Sequence, residues 1–131
     1  MKYVLIVLVL CVGMHAQSVA DRKLCADAAR AYVITTYPNG RLYDIHLNQA
    51  KECLVRFEDA KDADGRWVYQ IIDVFTNNSS ASCVLYGKFP VKIDKRYGCF
   101  VYSTTKDHFE DYRDKSFGEW QAAAIKMMNE P

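Results

Sequence analysis

His46 and His108 are the residues most able to exchange a proton near neutral pH, and Lys51 and Lys106 lie close to them in the chain. A general acid and a general base must hold opposite protonation states at one pH, so two histidines with a lysine would suit a small hydrolase of the nuclease type. Nothing in the spacing demands that site. His46 falls on the polar side of an alternating segment, and a solvated surface histidine is the expectation for both. The run "KDHFEDYRD" gathers Asp107, Glu110, Asp111 and Asp114 around His108, yet it lacks the periodic oxygen ligands of a calcium loop. It reads as a solvated charge run, so no catalytic residue, metal site or cofactor is assigned.

The cysteines carry the remaining chemistry, and their redox state depends on compartment. Lys2 supplies a positive start, "YVLIVLVLCV" is an apolar run too short to span a bilayer, and the small residues of "HAQSVA" follow. That is the pattern of a cleavable secretory signal over residues 1–18, not of an inserted membrane anchor. Cleavage after Ser18 or Ala20 fits the small-x-small rule, with Ala16 a further option. The mature chain, residues 19–131, is then a single small domain of about 111 to 115 residues, secreted to an extracellular setting. Cys11 and His15 leave with the signal. Cys25, Cys53, Cys83 and Cys99 remain as an even set in an oxidising compartment, which reads as two disulfides and removes a cysteine nucleophile. No CxxC pair is present, so zinc is not expected. Of the three possible pairings, Cys25 with Cys53 and Cys83 with Cys99 is preferred, because the first would tie a helix to a strand and the second would close a hairpin. Asn77 and Asn78 begin overlapping acceptor signals in the polar turn "TNNSSAS", which makes the mature chain a candidate glycoprotein.

Charge narrows the partners. The chain holds 17 basic and 16 acidic residues, and loss of Lys2 leaves the mature form neutral. There is no basic surplus for nucleic acid or anionic lipid.

Several elements must position these residues. From Asp21 to about Thr35, Leu24, Cys25, Ala28, Ala31, Tyr32 and Thr35 recur at helical spacing, and "YPNG" stops the helix. Tyr43, Ile45, Leu47, Cys53, Val55 and Phe57 all fall on odd positions, which reads as one long amphipathic strand bent around Asn48 to Lys51. "DADG" then turns the chain back into "RWVYQIIDVFT", and "SCVLYGKF" and "YGCFVYST" supply two further strands. Trp67 and Tyr69 share a face with Ile71 and Phe75, so they either pack against the helix or serve as binding anchors, since both combine area with a hydrogen-bonding tip. In the tail, Ser116 is a candidate cap, and Phe117, Trp120, Ala124, Ile125 and Met128 form an apolar helical stripe, with Glu119, Lys126 and Glu130 expected to stay wet. That stripe covers the sheet or, through Trp120, makes a partner surface.

A helix followed by four antiparallel strands, secreted and with a late disulfide hairpin, resembles the cystatin superfamily over roughly Val19 to Thr105. The resemblance implies an α+β fold in which a curved antiparallel sheet wraps on the N-terminal helix, here with a C-terminal helix added. It also implies an inhibitor of papain-like cysteine proteases or a relative that has lost that activity. Inhibitory members carry a Gln-Val-Val-Ala-Gly-like first hairpin, Pro-Trp at the second, and a glycine near the amino terminus. Here the first tip is "EDAKDADG", "GKFPVKIDKRYG" stands at the second, and no glycine precedes the helix in the mature chain. A charged wedge would carry a desolvation cost into an apolar cleft, so the usual mode of inhibition is not expected. The leading reading is a secreted cystatin-like protein, a protease modulator or extracellular interaction protein, binding an extracellular protein. A small-ligand or signalling protein with a cleft between helix and sheet, and a small secreted hydrolase, are the alternatives.

Overall fold

In the computed structural model, residues 2–131 are described, with side chains from Val19 onward. The expected secretory signal, residues 1–18, lies outside the side-chain description. The order is α1 (Lys2–Thr36), β1 (Arg41–Leu47), β2 (Cys53–Glu58), β3 (Arg66–Asp73), β4 (Asn78–Tyr86), β5 (Lys92–Ile93), β6 (Cys99–Ser103), β7 (His108–Asp111) and α2 (Phe117–Met128). All pairings are antiparallel, in the sheet order β1-β2-β3-β4-β6-β7, with β5 pairing β4. This is an open α+β sheet. Among the described residues, no helix is long and apolar enough to cross a membrane.

The two helices lie on opposite faces. Val55 and Ile72 are register partners and pack with Cys53 and Phe57 against Cys25, Ala29 and Val33 of α1. On the other face, Leu54, Tyr69, Ile71, Cys83, Leu85 and Val101 pack against Trp120, Ala124, Met127 and Met128 of α2. Because successive side chains of a strand alternate faces, β2 and β3 are apolar on both sides and serve two cores at once. Of the α2 stripe, Trp120, Ala124 and Met128 are buried, and Phe117 and Ile125 are half-buried. The helix opens with a reciprocal capping box between Ser116 and Glu119.

Both disulfides form in the preferred pairing. Cys25–Cys53 joins α1 to β2 with Cα atoms 5.4 Å apart, and Cys83–Cys99 bridges directly opposed residues of β4 and β6 at 4.1 Å.

Three expectations need correction, and the solvent-facing charge run gains a secondary structure. The long bent strand is a hairpin, β1 and β2, turned by reciprocal Asn48–Glu52 hydrogen bonds and by Lys51 at φ 63°. Leu47 and Cys53, which face each other across that turn, are both odd-numbered, so the turn leaves the period-two pattern in phase and hides itself. The charge run is in part edge strand β7: Glu110 accepts from Tyr112 and Lys115, and Asp111 pairs with Arg113 at 2.8 Å. Charges on an edge strand discourage pairing with other chains. In α1 the buried stripe is Cys25, Ala29 and Val33, while Leu24, Ala31 and Thr35 are exposed. The helix meets mainly β1 and β2, so a narrow stripe suffices. Glu130 is not wet: it accepts from Ser103 at 2.8 Å and pairs with Lys106 at 3.0 Å, anchoring the end of the chain.

Candidate functional site

Three connections meet at one end of the sheet: residues 37–40 between α1 and β1, residues 59–65 between β2 and β3, and residues 87–91 between β4 and β5. The middle one is held from within. The Asp62 carboxylate accepts from the amides of Asp64 and Arg66, and Gly65 at φ 76° adopts a left-handed conformation that disfavours a side chain. Between it and the third connection lies a shallow groove of about 310 Å³ bordered by Arg41, Glu58, Lys61, Trp67, Lys88 and Val91. The Lys61 ammonium sits 4.7 Å from the Trp67 ring centroid, a cation–π contact that roofs the indole.

Beside the groove, Phe89 is 96% exposed. Tyr86 and Tyr97 flank the same end with roughly half their surface open. A network of charges braces Tyr97. Asp94 is buried, forms an ion pair with Arg66 at 3.1 Å and accepts from Arg96 at 2.9 Å, and Arg66 donates to the Tyr97 hydroxyl at 3.3 Å. Hydrogen bonding from Arg96 holds the Asp94 carboxyl below its ordinary value. The end therefore offers an apolar anchor among fixed charges, a composition suited to gripping a protein surface.

On the α2 side of the groove, Tyr43 stacks on Tyr69 with centroids 5.4 Å apart, and the guanidiniums of Arg41 and Arg56 lie over Tyr43 at 5.3 and 5.4 Å. Burial, reinforced by the Glu58 carboxylate, pushes the Tyr43 hydroxyl up to about 12. It is thus a neutral hydrogen-bonding group at physiological pH.

Of the residues named from sequence as binding anchors, Trp67 alone borders this groove, and it is 9% exposed. Tyr69 and Trp120 lie in the core, with rings 5.3 Å apart edge to face, so Tyr69 packs against α2 through Trp120 and not against α1. Phe75 is exposed in the turn after β3. Asn77 is exposed in that turn and Asn78 is exposed as the first residue of β4, and the Asn77 Oδ1 accepts from Tyr32 of α1 at 3.2 Å. His46 and His108 are not brought together: they lie on β1 and β7, the two outer strands of the sheet, roughly 24 Å apart at about 4.8 Å per strand. Lys51 is paired with Asp21 and Lys106 with Glu130. No group of three His, Cys, Asp or Glu side chains suited to a metal occurs among the described residues.

The sequence pattern places Phe89 at the end of the strand "SCVLYGKF", but β4 ends at Tyr86 and Phe89 lies in the connection after it. Its significance depends on the neighbouring connections, which only the fold brings alongside. No family model, curated protein or solved structure matches the chain.

Proposed function

We propose that this chain is a secreted, cystatin-like binding protein that engages another extracellular protein through the end of the sheet where residues 59–65 and 87–91 meet. The carrying observation is Phe89, presented almost wholly to solvent beside a groove at that end. Burying a phenylalanine side chain contributes about 1.5–3 kcal/mol, and aromatic anchors ringed by polar groups are typical of interface hot spots. The cystatin-like element order supports the same reading, because there the corresponding pair of connections forms the protease-contacting edge. The composition of the two tips differs from that of the inhibitors. Asp59, Lys61, Asp62 and Asp64 make the first tip strongly charged, which favours a polar, charged partner surface over an apolar protease cleft.

The test replaces Phe89 with a photo-crosslinking phenylalanine analogue in the full chain produced by secretory cells, with Phe75 as the control position. Recovery of the processed protein from the medium, and a discrete crosslinked protein from extracellular fluid at position 89 but not at 75, is the expected result. Retention of the chain inside the cell, or identical crosslinking from both positions, would overturn the proposal.

A further inference from the structure

A second groove, of about 460 Å³, runs between α1 and the free edge of β1. One wall is the unbroken stretch Leu42 to Leu47, and the other is formed by Arg22, Cys25, Ala26 and Arg30. We infer that this groove binds an extended, acidic segment of a partner protein, which adds to β1 as a further strand. The inference rests on the reading of this chain as a protein-binding module and places a separate contact on it, away from Phe89.

The hydrogen-bonding edge is legible from the register. The Asn48 amide donates to the Glu52 carbonyl, so Asn48 and Glu52 form a bonded pair, and the pairs Leu47↔Cys53 and Ile45↔Val55 fall on the non-bonded positions of the antiparallel ladder. The backbone groups of Ile45 and Leu47 therefore point outward, into the groove. Asp44 occupies one of them, its carboxylate accepting from the Ile45 amide at 2.8 Å. A short polar cap of this kind guards an outer strand without closing it.

The occupant is set by charge and spacing. Arg22 and Arg30 stand on the same side of α1, with Ala26 between them, and neither guanidinium is paired with a carboxylate among the described residues. The "YPNG" turn reverses the chain, and the Lys51–Asp21 ion pair ties the turn after β1 back to the middle of α1, so α1 and β1 run side by side in opposite directions. Eight helical residues rise about 12 Å, and four residues of an extended strand span about 13 Å. Carboxylates four positions apart in a strand also point to one side. An acidic residue, three others and a second acidic residue thus match the two arginines while the backbone meets β1, which is strand addition with charge-set register.

Fluorescence anisotropy with the full chain tests this. The probes are labelled seven-residue Thr/Val peptides carrying two glutamates four positions apart, the same peptide with lysines, and the glutamate peptide N-methylated at alternate amides. The glutamate peptide should bind roughly tenfold more tightly than the lysine peptide, as two favourable charge contacts predict. In the Arg22→Glu/Arg30→Glu variant the order should invert, and N-methylation on the β1-facing amides should abolish binding. Asp44→Ala, which frees the Ile45 amide, should tighten the glutamate peptide severalfold on the wild-type arginines, an outcome independent of how the double variant folds. Absence of binding, a glutamate preference unchanged by the double variant, undiminished binding of the methylated peptide, or no gain from Asp44→Ala overturns the inference. Each such result leaves the Phe89 crosslinking test standing.

Discussion

The indole Nε1 of Trp120 donates to the carbonyl oxygen of Phe100 at 3.0 Å. That bond joins α2 to β6 one residue beyond the Cys83–Cys99 bridge, and the indole itself is fully buried. Helix, strand and disulfide are therefore fastened at one point of the core. Trp120→Ala should cost about 3–5 kcal/mol, the range for emptying a large buried site. Trp120→Phe should cost about 1–3 kcal/mol, from the lost indole hydrogen bond to Phe100 and the smaller ring in a fully buried site. Chemical denaturation gives both values, and sedimentation should show no change in association. A wild-type midpoint in Trp120→Ala would mean that α2 does not hold the sheet.

The two disulfides should contribute unequally. In the chain-entropy account, loops of 28 and 16 residues contribute about 3.6 and 3.1 kcal/mol. Cys25–Cys53 is also the covalent link between α1 and the sheet, so the Cys25→Ala/Cys53→Ala variant should lose protection of the α1 amides first in hydrogen exchange. Uniform loss across all elements would count against this order.

Acid should loosen the chain's end. Burial pushes the Glu130 carboxyl up, but hydrogen bonds from Ser103, Lys106 and Thr105 outweigh it and hold the group below its ordinary value of 4.5. A lowered folded value means that the unfolded chain binds the proton more readily, so this stabilisation is present above about pH 4.5 and fades as pH falls through the folded value. Glu130→Gln should be less stable than wild type at pH 7, with the difference shrinking towards pH 3. Parallel stability curves over that interval would exclude the linkage.

In a secretory host, the glycan should sit on Asn77 in preference to Asn78. Asn77 is an exposed turn residue whose Oδ1 is engaged by Tyr32 while its amide nitrogen has no such bond, whereas Asn78 pairs with Asp73 as the first residue of β4. Intact mass of Asn77→Gln and Asn78→Gln decides it: the first should lose the glycan mass and the second retain it.

Papain should remain active in the presence of a micromolar excess of the protein. Replacing Asp62 to Gly65 with a neutral apolar turn should not reveal latent inhibition, because Phe89 and its charged neighbours would still define the other contact. Tight inhibition by the wild-type chain in an active-site titration would contradict the proposed use of this end of the sheet.

Local pattern alone determined the helix stop at "YPNG", the reversal at "DADG", the four cysteines that pair, and the apolar stripe of α2, since each depends on residues within a few positions of one another. The β1–β2 hairpin escaped that reading because its turn preserves the even–odd phase. Only the tertiary structure decided that the helices take opposite faces, because "CLVRF" and "WVYQII" are apolar on both sides and a strand pattern does not say which helix covers which side. The same holds for function. Phe89 beside residues 59–65, and Arg22 and Arg30 beside the free edge of β1, become sites only when chain reversals bring segments distant in sequence together, and those distances are fixed by packing, not by composition.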